Sequence, residues 1–229
     1  MKFSGKFSMR FFAKGSFAIA LLTAGLLGLG GRAGYWQAWF FGAVNLLLIA
    51  GLAAALGDRV IVVAERMKGA PETKPWDRVI MGFFFPLALA VPVIAALDGG
   101  RYGWTGSLPA WPYGVAYIVY GAGACLHLSA IVVNPFYTST VAIQTARGHS
   151  VAADGPYRLI RHPGYLGIIG MEAAIAVALG SLWALAPAVL VAILLIARCH
   201  LEDSALMREL PGYPDYARVV PYRIMPYLW

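Results

Sequence analysis

Long apolar runs constrain this chain more than any other feature. Four blocks, at 16–31, 36–57, 79–97 and 111–133, each fit one crossing of a hydrocarbon core about 30 Å thick. A fifth block, at 165–197, would be about 50 Å long as a single helix and is expected to fold back on itself. Gly180 and Ser181 are the expected turn, because glycine escapes the Cβ penalty there, and Pro187 suits the first turns of a returning helix. Each arm would hold about 15 residues, so the hairpin is expected to tilt, to thin the bilayer or to stop short of the far side. The expected fold class is all-α: a polytopic integral membrane protein of five to six transmembrane helices, including a C-terminal helical hairpin.

Composition and charge agree with lipid as the main solvent. Hydrophobic residues make up 60% of the 229 and charged residues 13%, against about 45–50% and about 25% in a soluble domain. The net charge of +7 carries no nucleic-acid footprint, since the basic residues do not cluster on a polar domain with interleaved aromatics. Topology accounts for it better. With the N-terminus in the cytoplasm, sixteen of the 18 basic residues fall inside: Lys2, Lys6, Arg10 and Lys14; Arg59, Arg66, Lys68, Lys74 and Arg78; Arg147, Arg158 and Arg161; and Arg198, Arg208, Arg218 and Arg223. Only Arg32 and Arg101 fall outside, which the positive-inside rule reads as six crossings with N- and C-termini cytoplasmic. The first block resembles a signal peptide only in its basic flank, because it is long for an h-region and lacks a small-x-small cleavage site. Aromatics such as Trp36, Trp39, Trp76, Trp104, Trp111 and Trp183 mark the expected interfaces.

Few residues in the spans can carry chemistry. The glycine-rich 25–31 stretch follows no strand and is expected to serve close helix packing. Cys125 and Cys199 show no metal or redox spacing and are expected in the core. His127 is expected to be a hydrogen-bonded structural histidine. Glu172, an ionisable residue within a span, is expected to hydrogen-bond another helix or to line the active-site cavity. Polar density instead concentrates in two segments, 134–165 and 198–226. The first is rich in tyrosine, histidine and arginine, with turns imposed at Gly155-Pro156 and Pro163-Gly164. In the second, Arg198 and Glu202 lie one helical turn apart; read alone, they are a surface ion pair worth well under about 1 kcal/mol.

An ordered set of motifs runs through both segments: His149, Ser150, Val151 and Ala152; Gly155, Pro156 and Tyr157; Arg161, His162, Pro163, Gly164, Tyr165, Leu166 and Gly167; Arg198-x-x-x-Glu202-Asp203; Tyr213-x-x-Tyr216; and VPYRIMP at 220–226. Together they resemble the isoprenylcysteine carboxyl methyltransferase family and its relatives among phospholipid methyltransferases. The resemblance covers about the last 95 residues. It divides the chain into 1–134, an N-terminal bundle of four spans, and 135–229, a methyltransferase cofactor-binding region with the hairpin. It implies S-adenosylmethionine as cofactor, with contacts from His149, Ser150, Val151, Ala152, Tyr157, His162, Pro163, Gly164, Tyr165 and Glu202. Gln144 would match a cofactor-contacting glutamine, although it lies nearer His149 than the family spacing. Arg198 would face the methyl acceptor, so Arg198 and Glu202 are the expected catalytic pair. The family usually carries two glutamates where this chain has Glu202 and Asp203.

Chemistry supports these roles independently. Tyrosine faces can stack on adenine or meet a sulfonium, Glu202 can bind an ammonium, and basic groups can pair a carboxylate. Methyl transfer needs alignment and exclusion of water rather than a covalent nucleophile. Expected partners are membrane lipids and a hydrophobic or lipid-borne acceptor, with no nucleic acid and no metal, and the cofactor site is expected on the cytoplasmic side. A carboxylate acceptor is similar to that of protein-S-isoprenylcysteine O-methyltransferase, while a phospholipid amine or a small thiol stays open. Two other classes also stay open: a sterol-type membrane reductase and a non-enzymatic transporter or scaffold.

Overall fold

A computed structural model describes residues 6–229, all helix and connecting loop with no strand among them; Lys2, counted above as cytoplasmic, lies outside these residues. In chain order the helices are α1 (Lys6–Gly30), α2 (Trp36–Leu56), α3 (Val60–Arg66), α4 (Pro75–Ala95), α5 (Ala110–Val133), α6 (Pro163–Ala178), α7 (Leu185–Glu209) and α8 (Tyr213–Val219). Among the described residues five stretches are long and apolar enough to cross a membrane: Phe7–Gly30, Trp36–Arg66, Pro75–Tyr102, Ala110–Val133 and Leu185–Glu209. The shorter α6 pairs with α7 as the hairpin, and its turn contains Gly180 at φ +82°, in the left-handed region open to glycine.

The hairpin's arms are unequal, contrary to the expected 15 residues each. α6 has 16 residues, roughly 24 Å of rise, but α7 has 25 because it continues past the apolar block to Glu209. Fourth-span boundaries match expectation, whereas the third span extends beyond 79–97 at both ends and takes in Asp77 and Asp98, each fully buried. Cys125 is exposed on the bundle's outer surface rather than in the core, while Cys199 is buried.

Little hydrophobic force drives helices together in lipid, so close packing and polar contacts must do it. α5 and α6 touch backbone to backbone. A Cβ on Gly123 would lie 2.7 Å from the Gly167 carbonyl oxygen, and one on Gly167 would lie 2.6 Å from that of Gly123. His127 sits at this contact and its Nδ1 is 3.3 Å from the Gly164 carbonyl, a structural role as expected. Gly30 likewise approaches Gly100, as the glycine-rich stretch suggests.

Polar contacts define two ends of the bundle. At one end Asp98 accepts from Ser181 Oγ at 2.6 Å and from the Thr105 backbone N–H at 2.8 Å, pinning the α6–α7 turn to the end of the third span. Arg32 and Arg101 are at this end, bonded to the Gly99 and Gly28 carbonyls. At the other end Lys74 pairs with Glu209 at 2.6 Å, and Arg66 donates to the Ile131 and Val132 carbonyls. The two basic residues expected on the outer side therefore lie opposite the end that carries the two polar segments.

Replacing Gly167 by alanine should lower stability by about 1–3 kcal/mol, the usual cost of overpacking, read as a lower thermal midpoint in detergent. Gly170→Ala is the control, because its new Cβ meets only Val119 at 3.6 Å. Equal midpoints for the two variants would contradict the backbone contact.

Candidate functional site

The two polar segments close around one cavity at the end opposite Asp98. Its walls are Asn134 to Ala142, His149 to Ala152, Tyr157, the start of α6, the second half of α7, and Tyr213 and Tyr216 of α8. They bound about 840 Å³ of empty space, a figure that takes in the open solvent at the mouth.

Local sequence places the α6 wall. Pro163 opens α6 at its first position, where the missing N–H costs nothing. His162 before it lies outside the helical region, at φ −127° and ψ 60°. The backbone N–H groups of Arg161 and His162 donate to the Tyr222 and Arg223 carbonyls at 2.9 and 2.8 Å, so the C-terminal tail clamps this entry.

Asp203 organises the ions behind the wall. Its Oδ1 accepts from Arg161 Nε and from the Tyr213 hydroxyl, both at 2.8 Å, and its Oδ2 accepts from Arg161 Nη2 and Arg223 Nε, both at 2.9 Å. His162 Nε2 lies 3.3 Å from Oδ1. Burial works against charge on His162, but Cys199, Asp203 and Glu202 favour its proton, and the result is a rise to about 10. Burial pushes His149 below its ordinary value, so it is neutral at pH 7. Its Nδ1 accepts the Gln144 N–H at 3.3 Å, and its ring stacks on Phe136 at 4.6 Å. Burial also raises Tyr137 and Tyr157, with Glu202 adding to both, so both hydroxyls stay protonated.

Arg198 and Glu202 both line the cavity, but not as a surface pair. Arg198 is 6% exposed and bonds Asp77 of α4, Nε to Oδ1 at 2.7 Å and Nη2 to Oδ2 at 3.1 Å, with Nη2 also donating to the Ser139 carbonyl at 2.8 Å. Glu202 Oε2 accepts a short hydrogen bond from the Tyr165 hydroxyl. The Tyr165 ring stacks with His162 at 5.6 Å and has the Arg198 guanidinium over it at 5.4 Å. Phe136, Tyr137, Tyr157, Tyr213 and Tyr216 are the other aromatic surfaces on the cavity.

Of the residues expected from the sequence, His149, Ser150, Val151, Ala152, Tyr157, His162, Gly164, Tyr165, Arg198 and Glu202 come together on this cavity. Two do not line it. Pro163 is buried in the helix start, and the Gln144 amide is engaged within its own loop, Nε2 to the Phe136 carbonyl at 2.7 Å and Oε1 from Arg147 at 2.5 Å. Glu172 is also absent from the cavity wall; its Oε2 is buried without a partner among the described residues. Sequence reasoning missed Tyr137, Asp77 and the organising place of Asp203. An acid three residues into a helix that begins at Pro75 was the one available signal for Asp77.

Residues 116–208 match the model of the isoprenylcysteine carboxyl methyltransferase (ICMT) family. The resemblance read from the motifs is borne out over that region. Among solved structures, that of the eukaryotic intramembrane Ras methyltransferase ICMT is similar in fold, with a TM-score of 0.54 and 17% identity over 92% of this chain and 74% of that one.

Asp203→Asn should leave Arg161 and His162 short of counter-charge in a buried place, costing about 3–5 kcal/mol and lowering the thermal midpoint. A second outcome follows from the raised His162. Its contribution to stability is complete below its ordinary value of 6.5, declines as pH rises and is lost above about 10. Thermal midpoints recorded across that interval should fall for the wild type and fall less for His162→Gln; equal slopes would mean that the imidazole is not held charged.

Proposed function

We propose that this chain is an S-adenosylmethionine-dependent membrane methyltransferase that acts on a carboxylate of a lipid-borne or hydrophobic acceptor, similar to protein-S-isoprenylcysteine O-methyltransferase. The observation that carries this reading is one cavity holding both a cation and a carboxylate with open valences, inside the region that matches the family. Arg198 keeps Nη1 without a protein partner, and Glu202 keeps Oε1 without one, among the described residues. A zwitterionic donor and an anionic acceptor need that combination.

The residues fit the donor. Glu202 would hold its ammonium, and Tyr137, Tyr157, Tyr213 and Tyr216 offer aromatic faces for adenine or sulfonium. When bound, the donor supplies a methyl group on sulfonium, and the acceptor oxygen takes that carbon as the carbon–sulfur bond breaks, its electron pair staying on sulfur. Arg198 would orient the acceptor through Nη1. No proton needs to move; His162, raised to about 10 by the groups around it, keeps its own proton, and Glu202 accepts a hydrogen bond from the Tyr165 hydroxyl. A carboxylate acceptor needs no base, whereas an amine or thiol acceptor would have to give up its proton to a group such as Glu202. Basic residues at the cavity's end of the bundle, with Arg32 and Arg101 at the other, support a cytoplasmic site with both termini on that side.

Purified protein in nanodiscs should bind S-adenosylmethionine, and Glu202→Gln should weaken binding about tenfold or more, the usual scale of a charged hydrogen bond. Supplied with methyl-labelled donor and a panel of acceptors, it should label a prenylcysteine as a base-labile ester. Label that appears instead in base-stable N-methyl phospholipid would overturn the carboxylate reading.

A further inference from the structure

Asp77 comes from outside the stretch that matches the family, yet its carboxylate reaches the centre of the site. It occupies the third position of α4, fully buried, at the helix end whose dipole favours a negative charge. Resting on the function proposed above, we propose that Asp77 is the positioning residue that aims Arg198 at the acceptor and keeps it apart from Glu202.

The hydrogen-bond inventory of the guanidinium carries the argument. Arginine has five N–H donors in a rigid plane. Asp77 Oδ1 takes the one on Nε, at 2.7 Å; Asp77 Oδ2, at 3.1 Å, and the Ser139 carbonyl, at 2.8 Å, take the two on Nη2. Only the Nη1 pair remains for the cavity. Fixing two nitrogens of a planar group fixes the third, so Asp77 determines where that donor edge points. The same carboxylate accepts the Val141 N–H at 2.8 Å, which locks the 138–142 wall to α4 beside the arginine.

A freed Arg198 would have another partner on its own helix. Glu202 is four residues on along α7, on the same helix face, and such pairs form readily. The structure holds no ion pair between them among the described residues; Asp77 on one side and the Tyr165 hydroxyl on the other engage each group separately. Collapse of Arg198 onto Glu202 would remove the acceptor's cation and the donor's carboxylate together. Asp77 also keeps Arg198 compensated after turnover: a neutral ester leaves no anion behind, and a buried guanidinium without a partner would hold the site in an unfavourable state.

The test uses full-length protein in nanodiscs with N-acetyl-S-farnesylcysteine as acceptor. Asp77→Asn should raise the acceptor KM at least tenfold while S-adenosylmethionine affinity stays within threefold, and Asp77→Glu should recover part of the loss. Because Asp77 acts through Arg198, Asp77→Asn added to Arg198→Gln should change the acceptor KM no further; additive losses overturn the proposal, as does an unchanged KM in Asp77→Asn. Loss of donor affinity as large as the loss of acceptor affinity would assign Asp77 a general structural role and also overturn it. Independently of any acceptor, the Arg198 Nε–H should exchange slowly with solvent in the wild type and rapidly in Asp77→Asn. A wild type that binds donor but leaves this acceptor unmethylated overturns the substrate reading alone, whereas equal exchange in both proteins overturns the Asp77 assignment.

Discussion

A carboxylate with almost no exposure persists only where its charge is met, and Asp203 is met from the start of α6, from α8 and from the C-terminal tail. Arg161 and His162 reach it from the start of α6, Tyr213 from α8 and Arg223 from the tail, while Asp203 itself rides on α7. Segments far apart in the chain are therefore fixed to one pair of oxygens. The orientation of Glu202 follows. Neighbours on a helix point about 100° apart, so anchoring Asp203 behind the wall turns Glu202 to the open side, where Tyr165 receives it. The ion cluster behind the wall and the carboxylate facing the cavity are two consequences of one helix register.

The third span gives the hairpin its second support. Asp77 and Asp98 lie near its two ends, both fully buried, one gripping α7 through Arg198 and the other the α6–α7 turn through Ser181. Between them the α5–α6 contact is made by glycine backbones rather than large side chains. In lipid this division suits the physics, because apolar side chains gain little by leaving hydrocarbon for one another, whereas a buried charge gains greatly from its partner. The span that holds the hairpin lies outside residues 116–208, so the region that matches the family model depends for its geometry on a part of the chain beyond that match.

How much of this was legible in the sequence depends on the range of the interaction. The spans could be read because their signal is local and additive, and the turn because Gly180 marks it. The polar segments were legible as motifs, and ten of the residues they pointed to do share the cavity. What could not be read was pairing across distance. Asp77 looks like one acid in a basic loop, and nothing periodic ties it to Arg198, 121 positions away. For the same reason Arg198 and Glu202 read as a local pair, when each in fact has a nearer partner from another segment. Gln144 matched a residue type, yet its amide is taken by Phe136 and Arg147 within its own loop, a contact that no spacing rule expresses.

The arrangement also bears on why the proposed reaction would be carried out at the edge of a bilayer. Transfer of a methyl group from a sulfonium to a carboxylate consumes one positive and one negative charge and yields two neutral products. A poorly solvated site disfavours the charged reactants relative to the neutral products, and the transition state, in which both charges are already partly dispersed, shares that preference. The site can exploit this only if its own charges do not require water. Arg198 is met by Asp77, Arg161 and His162 by Asp203, and Glu202 by Tyr165. Each of these groups thus already has a partner in the protein before any reactant arrives, and none has to give that partner up for the reaction to proceed. A cavity of this kind can be dry without being unstable, and dryness is what such a methyl transfer gains from the membrane.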